Sequence, residues 1–205
     1  MSANPQGVVF LVDDEAVVRD ALAFLLGSRG LLVFSFASGP ALLAHLDAVT
    51  KPVRGVFLVD VRMEPMSGLI LHEKLLEQGI RNPLLFLSGH GDIPMVVEAL
   101  KKGAFDFMEK PYSDNTLVDR VEQALAVEGA MLMDDARQAE KKARLASLSE
   151  REREVMARVA AGKLNKVIGD ELHIAVRTVE VHRARVFSKL GVRSAAELAT
   201  WLAQP

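Results

Sequence analysis

The sequence contains no cysteine. A disulfide framework and a thiolate metal site are therefore excluded, and a cytoplasmic location is the default expectation. Long apolar runs are missing too. VVFLV at 8–12, among the longest, is far too short to span a bilayer, so no membrane partnership is expected. The start, MSANPQG, has no basic stretch followed by an apolar one, so a secretory signal is not expected. No glycine-rich phosphate loop occurs, GHGD at 89–92 lacks the spacing of a dinucleotide fingerprint, and the five histidines are scattered rather than spaced as metal ligands.

What is present divides in two. A length of 205 residues accommodates two ordinary domains. Residues 1–128 hold 11 Lys and Arg against 17 Asp and Glu, net −6, whereas residues 148–205 hold 10 against 7, net +3. That asymmetry points the second half toward nucleic acid, although a charge of this size also suits an ordinary solvated surface.

In the first half, apolar runs at 8–12, 31–36, 55–59, 84–87 and 104–108 alternate with helical patterns at 15–28, 39–48, 67–78, 93–102 and 114–128. Five such βα units predict a doubly wound parallel sheet, whose functional crevice lies beyond the carboxyl ends of the strands. Asp13 and Asp14 follow the first run, Asp60 the third, Ser88 the fourth and Lys110 the fifth. A turn or capping role explains any one of them about as well as a functional one. Together they describe converging carboxylates that need a hard cation such as Mg²⁺, beside a lysine and a hydroxyl able to meet phosphoryl oxygens. Asp60 would then be the nucleophile of a phosphoryl transfer.

In the second half, Ser149 and Glu152 have capping-box spacing, so a helix starts there and ends before Gly162. Short helices follow at 165–172 and 177–190, and Ser194 with Glu197 caps a last one, giving an all-α four-helix domain. On the third helix Val179, Val186 and Leu190 share one face at the helical period and form the buried stripe. Arg177, Thr178, Val181, Ala184, Arg185, Ser188 and Lys189 occupy the opposite face. Small side chains flanked by cations suit a helix entering the major groove, but an amphipathic helix packing on another protein fits the periodicity as well. Between the halves, 129–147 is rich in Ala, Lys, Arg and Glu and lacks Pro, which predicts a helical linker rather than a flexible tether. Its Met131, Leu132, Met133 and Ala136 have two readings, a packing face or a solvated spacer. The expected domains are thus 1–128, a linker at 129–147, and 148–205.

The motifs VDDE at 12–15, VDVRM at 59–63, FLSGHGD at 86–92 and DFMEKPY at 106–112 resemble the receiver domain of two-component response regulators, over residues 5–128. The resemblance implies the flavodoxin-like (βα)5 fold, Asp60 as phosphoacceptor, and Mg²⁺ held by Asp13, Asp14, Asp60 and the backbone carbonyl of Arg62. It further implies Ser88 as the switch hydroxyl, Lys110 as partner of the phosphoryl group and Phe107 as the rotating aromatic. The family usually has proline at the fourth position after the phosphoacceptor, where this chain has Glu64 before Pro65. LSERERE at 148–154, AAGKLNKVIGDEL at 160–172 and RTVEVHRARVFSKLGV at 177–192 resemble the LuxR-type helix-turn-helix, over residues 147–203.

That second resemblance places Asn165 and Lys166 near the DNA backbone, and the helix-face reading adds the cations Arg177 and Lys189 as DNA contacts. Thr178, Glu180, Val181, Ala184 and Arg185 sit on or beside the base-reading surface, and His182 supports the helix near phosphate. Glu180 would accept from a cytosine amino group or only repel phosphate. Ala175 stands where the family often has a capping serine or threonine. The expected partners are a sensor histidine kinase, double-stranded DNA, RNA polymerase and a second copy of the chain on phosphorylation. The receiver would assist only its own phosphorylation and dephosphorylation. A haloacid-dehalogenase-like hydrolase needs a second aspartate two residues after its nucleophile, where this chain has Arg62.

Overall fold

The computed structural model describes residues 7–49, 52–89 and 93–204. His90, Gly91 and Asp92 of the FLSGHGD motif, residues 1–6 and Pro205 lie outside the described residues. The chain divides into two compact units, Met1–Met131 and Leu132–Pro205.

The first unit alternates strands and helices: β1 Val8–Val12, α1 Ala16–Ser28, β2 Leu32–Phe36, α2 Gly39–Ala48, β3 Val56–Asp60, α3 Gly68–Glu77, β4 Leu84–Ser88, α4 Ile93–Lys101, β5 Asp106–Glu109 and α5 from Asp114. The strands are parallel in the order β2-β1-β3-β4-β5. β3 and β4 are buried throughout, which is why they read as continuous apolar runs; strands covered on both faces have no polar side. Alternate residues feed two cores. Phe10, Val12, Phe57, Val59 and Phe86 pack with Leu42, Leu46, Leu71 and Leu75 of α2 and α3 on one side. Val9, Leu11, Leu58, Leu85 and Leu87 pack on the other with Leu22 and Leu26 of α1 and with Leu117, Val118 and Val121 of α5.

Helix α5 continues without a break to Ala146, so the segment expected as a helical linker is the second half of one 33-residue helix, and the division between units falls inside it. Its last turns belong to the second unit, where Arg144 donates to the Leu190 carbonyl at 2.8 Å and Lys189 donates to that of Ser147 at 2.9 Å. Cations placed on terminal carbonyls satisfy groups that a helix end leaves open.

The second unit adds α6 Glu150–Ala160, α7 Asn165–Leu172, α8 Val176–Leu190 and α9 Ala195–Ala203. Val155, Val159, Ile168, Leu172, Val179, Val186, Leu190 and Leu198 form its core, including the three residues of the expected α8 stripe. The capping box closes as its spacing requires: the Glu152 amide donates to Ser149 Oγ at 3.2 Å and the Ser149 amide to Glu152 Oε2 at 2.8 Å.

Candidate functional site

Parallel strands bring their carboxyl ends to one edge, and register decides what meets there. Asp60 is the last residue of β3 and Ser88 the last of β4, one residue later than the apolar runs suggest; Asp13 follows β1 and Lys110 follows β5. Asp13 and Ser88 are fully buried and Asp60 is 6 % exposed. Lys110 Nζ stands 2.6 Å from Asp60 Oδ1 and 3.5 Å from Asp13 Oδ2, so one ammonium bridges two buried carboxylates. The second Asp60 oxygen accepts from the Arg62 amide at 2.9 Å.

Burial pushes the Asp60 carboxyl above its ordinary value, against the pull of the Lys110 hydrogen bond and charge. Burial works against the Lys110 charge as well, but the hydrogen bond and charge of Asp60 hold the ammonium above its usual value. The Asp13 carboxylate is held by the Glu15 amide, 2.8 Å from Oδ1, while the Arg19 guanidinium donates to its backbone carbonyl at 2.7 Å. Asp13 Oδ2 is buried and accepts no hydrogen bond. A buried carboxylate oxygen with no hydrogen bond, offset only by an ammonium 3.5 Å away, is costly and is the kind of donor a hard divalent ion takes. Among the described residues, no three acidic or imidazole side chains form a ready-made cage. Asp14 is exposed and its Oδ2 accepts from the Glu64 amide at 3.4 Å, ahead of a cis Glu64–Pro65 peptide.

The Ser88 hydroxyl lies 3.5 Å from the Met108 carbonyl of β5, at the long limit of a hydrogen bond. Phe107 is half-buried against the α2/α3 side of the core. Sequence reasoning does not single out Gly68, yet a Cβ there would fall 2.3 Å from the Asp60 carbonyl oxygen. Only glycine lets α3 start this close to β3.

In the second unit, Lys166, Arg177, Thr178, Glu180, Val181, Ala184 and Arg185 are exposed, and His182 is half-buried with Nδ1 lacking a partner. Lys189 differs from the expectation of a phosphate contact in that it ion-pairs with the buried Glu152 at 2.7 Å, so its charge holds α8 to α6. That hydrogen bond, with the Ser149 amide, lowers the Glu152 carboxyl to about 2. Ala175 caps α8 without a side-chain bond, and Leu164 likewise caps α7. His173 ends α7 in the left-handed region at φ 54, a position that favours glycine.

Residues 9–122 match the response regulator receiver domain, and residues 146–202 match the luxR family of bacterial regulatory proteins. The chain is 48 % identical over 194 residues to the C4-dicarboxylate transport transcriptional regulatory protein DctR of Rhodobacter capsulatus, covering 93 % of this chain and 96 % of that one. It is 44 % identical over 192 residues to the transcriptional regulatory protein FixJ of Rhizobium meliloti, covering 93 % and 92 %. A structure of the response regulator StyR superposes with a TM-score of 0.87 at 37 % identity, covering 95 % of this chain and 97 % of that one.

Proposed function

The chain belongs to the two-component response regulators that join a receiver domain to a LuxR-type DNA-binding domain, and from that premise we propose that phosphorylation of Asp60 controls DNA binding by the exposed face of α8. The family is regulatory rather than catalytic. One observation carries the proposal: a buried Asp60 carboxylate 2.6 Å from Lys110, next to a buried Asp13 oxygen that accepts no hydrogen bond.

An Asp60 oxygen attacks the phosphorus of a donor, a phosphohistidine of a sensor kinase, and the donor nitrogen leaves as the acyl phosphate forms. Mg²⁺ held by Asp13, Asp14, Asp60 and the Arg62 carbonyl would offset the charge of the transferring group. Lys110 is already placed to pair with a phosphoryl oxygen. Ser88 gives up a weak bond to Met108 to donate to another, so its shift costs little. Phe107 follows inward into the space that the hydroxyl leaves. The added charge of roughly −2 thereby repacks the face built from α4, β5 and α5.

Two copies paired through that face would set two α8 helices on half-sites roughly 34 Å apart. On each, Arg177, Asn165 and Lys166 meet phosphates, with His182 supporting, while Thr178, Val181, Ala184 and Arg185 face base edges and Glu180 accepts from cytosine. Lys189 contributes through the fold, and RNA polymerase is the partner downstream. The match of residues 146–202 to the luxR family supports this reading over a protein-packing face.

Incubation with acetyl phosphate and Mg²⁺ tests the proposal. Wild type should incorporate phosphate and gain affinity for a DNA duplex selected from a random pool; Asp60→Ala should do neither. Incorporation by Asp60→Ala equal to that of wild type sinks the site assignment. Sedimentation with and without the donor separates dimerisation from release of an interdomain block, which would raise affinity in a persistent monomer.

A further inference from the structure

We propose that Arg183 is a positioning residue, which turns the side-chain amide of Asn165 so that its NH₂ group faces the DNA backbone. The inference rests on the reading above that the start of α7 approaches phosphate, and it adds a residue which the helix pattern leaves off the DNA-facing row.

Asn165 is the first residue of α7 and is half-buried; Arg183 lies on α8 and is half-buried too. Arg183 Nη1 donates to Asn165 Oδ1 at 2.9 Å. A guanidinium has donors only, so the amide atom that faces it is the oxygen, and the two N–H donors of Asn165 point the other way. The guanidinium is itself held, with its central carbon 5.2 Å from the ring centroid of Phe187, one turn further along α8. Phe187 packs against the core of the unit, so the chain of supports runs from the core through Phe187 and Arg183 to Asn165.

Orientation matters because a phosphate only accepts. An amide that presents NH₂ donates to it, while one that presents oxygen is repelled, and an unheld amide loses rotational freedom on binding. The surroundings agree with a donor role. Lys166 beside it is exposed, and Leu164 before it gives the first turn of α7 no side-chain cap for its backbone N–H groups.

The test uses the full chain and a duplex that wild type selects from a random pool, with affinities at several salt concentrations and a thermal melt for each variant. Asn165→Ala and Arg183→Met should each weaken binding about three- to tenfold, the value of one hydrogen bond. The double variant should be no weaker than either single one, because both remove the same contact. Asn165→Asp keeps an acceptor for Arg183 and should melt like wild type, yet bind more weakly than Asn165→Ala, since it turns an anion toward phosphate. Losses that add in the double variant, with a salt slope smaller by about 0.9 in Arg183→Met, would mean that Arg183 touches phosphate itself and overturn the proposal. So would full affinity in Asn165→Asp. If Arg177→Ala and Arg185→Ala also bind as wild type does, the reading of the α8 surface fails; if those two weaken binding while Asn165→Asp does not, only the role of Arg183 fails.

Discussion

In the receiver unit Asp13, Asp60 and Ser88 are buried at the strand ends, and the charge of Lys110 is divided between two carboxylates. In the second unit Glu152 is the one buried charged side chain among the described residues, and its partners satisfy it: the Ser149 amide and Lys189. The first arrangement leaves an Asp13 oxygen without a hydrogen bond and a long Ser88 bond, so it stores cost that a ligand can relieve. The second is closed and leaves nothing for a ligand to supply. Buried charge is therefore left partly unsatisfied in one unit and serves as a rivet in the other, while Lys166, Arg177 and Arg185 of the second unit are exposed.

The largest effect expected from that contrast is at Asp60. Asp60→Asn should abolish phosphate incorporation while changing stability by no more than about 1 kcal/mol, because it also removes the cost of burying a carboxylate. A urea melt showing a loss as large as that at Glu152 would break the comparison. Gly68→Ala should be the most destabilising single change at the receiver edge, about 3 kcal/mol, since the added Cβ meets backbone that cannot rotate aside.

Glu152→Gln should cost the second unit about 2 kcal/mol through the lost ion pair, read by fluorescence of Trp201 in α9, and leave phosphorylation intact. The units should also answer acid separately. Glu152, lowered from 4.5 to about 2, contributes stability that is complete above pH 4.5 and is lost as pH falls toward 2. His72, fully enclosed in the receiver and T-shaped against Phe86, is lowered by burial from 6.5, so its contribution is complete above pH 6.5 and lost below it. On acidification the receiver transition should therefore weaken first, and an inverted order would contradict this account of the two buried groups.

The sheet and its crevice were legible because continuous apolar runs and strand-end residues follow directly from two-sided burial, and β3 and β4 read that way along their length. Asp60 and Ser88 fell within their strands because the last ladder bonds extend past the apolar residues: the Val61 amide still donates to Leu87, and that of Lys110 to Ser88. The α8 stripe was legible from period alone. Gly68, Arg183 and the pairing of Lys189 with Glu152 were not, since each depends on a contact across 8, 18 or 37 residues. A one-dimensional pattern tells which face a residue occupies, and says nothing of the partner opposite. For Lys189 that partner decides whether the charge faces solvent or the fold.

Helix starts give the smallest test and a sharper form of the comparison. Serine side chains cap α2, α3, α6 and α9 through Ser38, Ser67, Ser149 and Ser194. Glu15 of α1, Leu164 of α7 and Ala175 of α8 make no side-chain cap. Under the proposed function α7 and α8 begin at a surface that meets DNA phosphates, where open N–H groups and the positive end of the helix dipole would serve binding. Ala175→Ser should raise the stability of the second unit by about 1 kcal/mol, as a cap does elsewhere, seen as a higher melting temperature. If those amides are reserved for phosphate, the stabilised variant should bind the selected duplex no better than wild type, because its new hydroxyl competes for the same donors. A gain in stability and affinity together would show that the cap is merely missing and that the open amides of α8 serve no ligand.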